Sequence, residues 1–207
     1  MTNMAPEWQI SDPPIPYPVA MAAMETRVDD IIAEKKPELI WLLQHPPLYT
    51  GGTSADIAEL KDAARFPVYE TGRGGRYTYH GPGQRVAYAM MDLRQRGRDV
   101  RAHVWQLEEW MIRTLAAFGI KGERREGRIG IWVTTNNTEA KVGAIGVRVR
   151  KWVAYHGLAL NVDPDLSHFS GITPCGISEF GVTSLRKLGV ETDMAHIDQA
   201  FRTYCPF

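Results

Sequence analysis

Three β-rich runs follow one another at residues 130–135, 141–149 and 152–162, with Asn136-Asn137 and Arg150-Lys151 in the joints. Joints this short are hairpin turns, because a parallel crossover needs a dozen or more residues. A chain organised around such a meander is a poor candidate for a doubly wound nucleotide-binding fold. No G-x-G-x-x-G fingerprint between a strand and a helix is present to argue otherwise.

Helical periodicity brackets the meander. Met21, Met24, Val28, Ile31 and Ile32 are spaced by three and four and predict an amphipathic helix over 19–34. Val104, Leu107, Met111, Leu115 and Phe118 predict a second over 100–118, closed by Gly119. Residues 192–204 read as a closing helix. The continuous apolar run 39–43, stopped by His45-Pro46-Pro47, reads as a buried strand. Further strands are expected at 68–70 and 86–91, and Ser54 is placed to cap a short helix through Ala64. Strands in succession with helices early and late give a mixed α/β or α+β class.

At 207 residues the chain, 1–207, fits one domain with a real core. Its 24 basic and 24 acidic residues cancel, which removes the general electrostatic case for nucleic acid or an anionic membrane. Local basic clusters at 94–101 and 148–151 read either as solvated charge or as a landing site for an acidic protein. Two cysteines are too few for a disulfide scaffold and suit a reducing compartment. The first 18 residues lack the basic and apolar regions of a secretory signal, and no apolar run approaches the ~20 residues of a membrane span. A cytoplasmic protein that contacts no membrane is expected.

Between the strands at 68–70 and 86–91 lies Arg73-Gly74-Gly75-Arg76-Tyr77-Thr78-Tyr79-His80-Gly81-Pro82-Gly83-Gln84. A segment with this much glycine, interleaved with cations and aromatics, reads as a binding loop, since glycine lets backbone approach a ligand closely. Cys175 sits in Thr173-Pro174-Cys175-Gly176, a tight loop that suits a nucleophile and equally a buried structural thiol. Cys205 has no such setting and reads as a packing residue. Lys141 heads the apolar run Val142-Gly143-Ala144-Ile145-Gly146-Val147, where an ammonium either reaches solvent or is held in a site. His80 lies in the glycine-rich loop, His156 on a strand before Gly157, and His168 just upstream of Cys175; His103 falls inside a helix and reads as structural. None of the six histidines has metal-cluster spacing.

Taken together, four blocks resemble the lipoyl(octanoyl) transferases, the octanoyltransferase family of lipoate biosynthesis. They are the loop at 73–84, Lys141 with the run that follows it, His156-Gly157-Leu158-Ala159-Leu160-Asn161, and Pro174-Cys175-Gly176-Ile177 with Val182-Thr183-Ser184. The blocks stand in order across roughly residues 40–188. The resemblance implies a fold like the biotin/lipoate protein ligases, a mixed sheet flanked by helices. It implies transfer of an octanoyl group from octanoyl-acyl carrier protein to a lysine of lipoyl domains. Those domains belong to 2-oxoacid dehydrogenase E2 subunits and to the glycine cleavage H protein.

By position, Cys175 would carry the acyl thioester and Lys141 would favour its thiolate and serve as acid and base. Substrate contacts would fall on Arg73, Gly74, Gly75, Arg76, Tyr77, Thr78, Tyr79 and His80, on Ala144, Ile145 and Gly146, and on Gly157, Leu158 and Ala159. Exchange between thioesters is nearly isoenergetic and the final amide lies downhill, so the resemblance implies no cofactor and no metal. An ATP-dependent lipoate or biotin ligase is the nearest alternative, followed by a cysteine hydrolase using His80 or His156 and by a non-catalytic acyl-binding module.

Overall fold

Leu39–Leu43 forms β2 with every residue buried, as a continuous apolar run requires when both faces of a sheet are covered. Ile40 and Leu42 join a core with Leu107, Trp110, Met111, Leu115, Ile197 and Phe201. Leu39, Trp41 and Leu43 pack instead on Ala20, Met24, Val28 and Ile31. The two-residue alternation of one strand thus feeds a core on each side of the sheet. Helices α2 (Val100–Ala116) and α3 (Met194–Tyr204) cover the first face, and α1 (Tyr17–Ile32) covers the second. This computed structural model describes residues 5–173 and 180–207.

Along its main path the sheet runs β1 (Glu7–Ile10), β2, β6 (Gln84–Asp92), β10 (Val153–Asn161), β9 (Thr138–Arg150), β8 (Arg128–Thr135) and β7 (Glu123–Arg125). The β1/β2 pair is parallel, as is β9 with β11 (Gly181–Val182), while the others are antiparallel. A smaller sheet orders β4 (Val68–Glu70), β3 (Leu48–Gly51) and β5 (Thr78–His80). The expected mixed α/β class, a mixed sheet between helices, is what the chain forms. Among the described residues no helix is long and apolar enough to cross a membrane.

The best-patterned helix begins where Asp99 accepts from Ala102 N at 2.9 Å. It ends in paired closing bonds, Gly119 N to Ala116 O at 3.0 Å and Ile120 N to Leu115 O at 3.1 Å, with Gly119 at φ +73. That is the left-handed close expected of the glycine. Arg85, 1% exposed, ties β6 to α3 through a two-pronged ion pair with Asp198.

Local expectations fail in three places. Ser54 caps nothing: the short 3₁₀ turn is Ile57–Glu59, capped by Asp56, while Ser54 N donates to Gly75 O. The Asn136-Asn137 turn stands, with φ of 49 and 59, but the next turn centres on Lys151 and Trp152, at 48 and 66, one residue later than expected. Both pairs have the positive φ values that two-residue hairpins prefer. The basic cluster at 94–101 is partly structural. Arg94 grips Asp92 at 2.7 and 2.8 Å, and Arg96 grips both carboxylate oxygens of Glu38.

Candidate active site

Gly146 and Gly157 lie opposite each other across β9 and β10, and the missing side chain of Gly146 lets the glycine-rich loop descend onto the sheet. Gly74 N donates to Val147 O at 2.8 Å. A Cβ on Gly146 would come within 3.0 Å of Gly74 O, and one on Gly157 within 2.2 Å of Ala87 O. From the other side, Thr53 N donates to Arg73 O at 2.9 Å and Ser54 N to Gly75 O at 3.1 Å. Buried Arg73 reaches Thr50 O at 2.9 Å, Thr50 Oγ1 at 2.7 Å and Arg76 O at 3.1 Å. The loop is therefore braced as a wall, its amide and carbonyl groups held by named partners.

The strand opposite breaks its own alternation. His156 has φ +62, so its ring stacks on that of its neighbour Tyr155 at 5.1 Å with 20° between planes. A regular strand sends adjacent side chains to opposite faces. Left-handed backbone at a non-glycine residue costs on the order of 1–3 kcal/mol and persists only where its surroundings impose it. Here it brings the imidazole edge-on to Tyr88 at 5.9 Å. His45 donates from Nδ1 to Ile15 O at 2.6 Å and accepts from the Tyr88 hydroxyl at 2.7 Å. The ring of His45 also meets Tyr17 at 5.5 Å and His80 at 5.8 Å. Burial drives these imidazoles to the neutral form: His45 falls to about 4, and His80 and His156 to about 3, with Arg73 adding to the effect on the last two.

A relay of side-chain amides orients His80. Asn161 Nδ2 donates to Thr183 O at 3.0 Å, and Gln84 Nε2 donates to Asn161 Oδ1 at 2.9 Å and to Tyr79 O at 3.2 Å. Gln84 Oε1 is left to accept from His80 Nδ1 at 2.7 Å. The neutral ring is thus fixed with its proton on Nδ1 and a lone pair on Nε2.

Lys141 is 6% exposed, its Nζ 5.2 Å from the centre of the Trp132 ring. Gly130, at φ +115, makes room for it: a Cβ there would lie 2.6 Å from Lys141 Cε and 3.0 Å from Nζ. On the other edge of β9, Val182 of β11 pairs with Lys141, and Thr183 N donates to Lys141 O at 2.9 Å. Phe180 packs its ring on Trp132 at 5.6 Å, with the Arg128 guanidinium 4.1 Å from its centre.

These elements enclose a cavity of about 370 Å³. Residues 73–78 and His80 line it, as do Lys141, Ala144, Ile145, Gly146, Gly157, Leu158 and Ala159, so three of the four sequence blocks meet in one place. Tyr79 does not join them. Alternation along β5 turns its ring into an aromatic cluster with Tyr49 and Phe169, where its hydroxyl meets His168 Nδ1 at 2.8 Å. Cys175 lies outside the described residues. Cys205 packs half-buried at the main core, its thiol pushed up to about 11 by burial. Sequence reasoning missed Tyr17, Val86, Tyr88, Val104, Arg128 and Ile129 as lining residues. Each sits in an ordinary amphipathic or strand pattern, and only tertiary packing sends it to the cavity. Among the described residues, no three His, Cys, Asp or Glu side chains are grouped to hold a metal ion.

Residues 16–205 match the family model described as the lipoyl protein ligase A/B catalytic domain. A protein of Paramagnetospirillum magneticum named octanoyltransferase is 63% identical over 205 residues, covering 99% of this chain and 97% of its own length. Another of that name, from Rhodospirillum rubrum, is 61% identical over 195 residues, covering 94% and 90%. Among solved structures, lipoate-protein ligase A bound with ATP aligns at a TM-score of 0.70 and 14% identity, covering 97% of this chain and 84% of its own. The bipartite lipoate protein ligase of Thermoplasma acidophilum aligns at 0.67 and 14%, covering 97% and 82%. These structural likenesses establish a shared fold.

Proposed function

The chain belongs to the lipoyl protein ligase A/B catalytic domain family, and on that premise we propose that its cavity is the acyl site of an octanoyltransferase working through a thioester on Cys175. Octanoyl transfer in lipoate biosynthesis rests above all on one observation, identity of 63% with an octanoyltransferase along 99% of the chain. The donor in this reading is octanoyl-acyl carrier protein. The acceptors are lipoyl-domain lysines of 2-oxoacid dehydrogenase E2 subunits and of the glycine cleavage H protein.

The reaction divides into two exchanges. The Cys175 thiolate attacks the carbonyl of the carrier thioester, a new carbon–sulfur bond forms, and the carrier thiolate leaves and takes up a proton. The neutral ε-amine of the acceptor lysine then attacks the enzyme thioester. Amide forms, Cys175 leaves as thiolate, and one amine proton is released. Lys141 is the group assigned to hold the thiolate as an ammonium, to give its proton to the departing carrier thiolate and, neutral after that, to take the proton of the acceptor amine. Supporting this, β11, which follows Cys175 in the chain, pairs with β9 at Lys141. Ala144, Ile145, Leu158 and Ala159 supply apolar wall for the alkyl chain, each buried CH₂ contributing about 0.8 kcal/mol.

The rival ligase reading requires ATP to activate a free acid. Purified protein mixed with octanoyl-acyl carrier protein and a lipoyl domain is expected to give octanoyl-lysine in the absence of ATP and magnesium. Modification that occurs only with ATP and free octanoate would replace the reading with the ligase one. Lys141→Ala is expected to slow transfer by about a hundredfold or more, the usual scale for losing an acid–base group. Single-turnover rates for each exchange measure this, and a variant running both at the normal rate would remove the role.

A further inference from the structure

His80 lines the cavity, and the two exchanges leave it unused although its ring is fully oriented. The alternation along β5 that turns Tyr79 into the aromatic cluster turns His80 the other way, into the cavity wall. Its Nδ1 proton goes to Gln84 Oε1 at 2.7 Å, and Gln84 is itself held by Asn161 and by Tyr79 O. An imidazole in that tautomer presents a lone pair, and no proton, at Nε2. This nitrogen bonds to nothing among the described residues, yet it is not sealed off as His156 Nε2 is. An occupant of the cavity can reach it.

The relay that orients the ring ends where Lys141 is tied. Asn161 Nδ2 donates to Thr183 O at 3.0 Å, and Thr183 N donates to Lys141 O at 2.9 Å. His80 and Lys141 therefore line one cavity and are both fixed from the end of β11, the strand that follows Cys175 in the chain. Burial, with His45 beside it, lowers His80 to about 3, so the ring stays neutral near pH 7 and accepts a hydrogen bond without keeping the proton. Such a group does not serve an oxyanion, which needs donors. It serves an N–H. Among the reacting groups of the two exchanges, the ε-amine of the acceptor lysine is the one that brings it.

Resting on the acyl-site reading above, we propose that His80 is a further catalytic residue, whose Nε2 accepts a hydrogen bond from the acceptor lysine and aims its amine at the thioester. A neutral amine has two N–H bonds and one lone pair. With one N–H on His80 Nε2 and the other towards Lys141, the lone pair is left for the carbonyl carbon. As the carbon–nitrogen bond forms, the carbon–sulfur bond to Cys175 breaks and the surplus proton passes to neutral Lys141. His80 keeps its hydrogen bond throughout and takes no proton.

The test follows the two exchanges separately by intact mass, first with octanoyl-acyl carrier protein alone and then on adding a lipoyl domain. A thermal unfolding midpoint accompanies each variant. His80→Leu and His80→Phe both remove the acceptor, and phenylalanine keeps a ring beside His45. His80→Gln restores an amide oxygen near the place of Nε2. In the leucine and phenylalanine variants the rate of discharge to the lipoyl domain, divided by the rate of loading, is expected to fall by about a hundredfold, the scale for misplacing a reacting group. Glutamine is expected to bring that ratio back to within about tenfold of the unaltered protein. A ratio left unchanged or raised, or one that glutamine does not recover, overturns the role of His80 and leaves the acyl-site reading standing. An unaltered protein that gains no octanoyl group overturns the reading itself.

Discussion

Cys175→Ala is expected to lower steady-state octanoyl transfer by about ten-thousand-fold or more, the scale on which enzymes lose rate when the nucleophile is deleted. The reason lies in what the rest of the cavity offers. The described lining holds Lys141, neutral His80, Arg73 and apolar wall, and no second thiol, since Cys205 packs at the core against the helices. Direct attack of the acceptor amine on the carrier thioester would require both protein partners at one cavity together, whereas a covalent intermediate lets them come in turn. Rates with and without the thiol, each beside a thermal unfolding midpoint to show that the fold is kept, test this. A variant that keeps transfer within tenfold of the unaltered protein would exclude the thioester route.

A second large effect is acid instability. His45 and His103 fall to about 4, and His80 and His156 to about 3, all chiefly through burial. In the unfolded chain a histidine titrates near 6.5. Below that value the unfolded state binds protons that the folded state refuses. The stability from these neutral imidazoles is therefore complete above about pH 6.5 and drains as pH falls towards the folded values. Each group contributes about 1.4 kcal/mol per pH unit across that window, so His45, His80, His103 and His156 together remove roughly 5 kcal/mol per unit. Against a total of about 5–15 kcal/mol, unfolding between about pH 5.5 and pH 3.5 follows. Circular dichroism against pH is the measurement, and a native signal retained to pH 3.5 would contradict it. His103→Leu is expected to move the midpoint down, because both ring nitrogens of His103 are buried without partners.

The helices and the meander were legible because their signals are local. Spacings of three and four from Val104 to Leu115, with Gly119 after them, define α2 almost to the residue. The blocks around Arg73, Lys141 and Gly157, which line one cavity, stood out in the sequence for the same reason, since glycine and charge are conspicuous in an apolar strand. What escaped depends on non-local geometry. That His156 turns its ring onto the face of Tyr155 follows from a left-handed backbone that no period announces. Tyr17 and Tyr88 reach the cavity only because α1 packs on the face of the sheet to which Tyr88 of β6 points. Tyr79, placed with its neighbours by adjacency, is taken elsewhere by the alternation of β5. Arg94 and Arg96, candidates for meeting an acidic partner, are held by Asp92, two positions from Arg94, and by Glu38, which only the fold brings beside Arg96.

The central claim is that one cysteine carries the acyl group between two proteins. Intact-mass spectrometry of the purified protein, mixed with octanoyl-acyl carrier protein alone, tests it most directly. A mass gain of one octanoyl group is predicted, absent from Cys175→Ala and discharged on adding a lipoyl domain with octanoyl-lysine appearing in step. A protein that gains no octanoyl group, or whose Cys175→Ala variant gains it equally, would contradict the account.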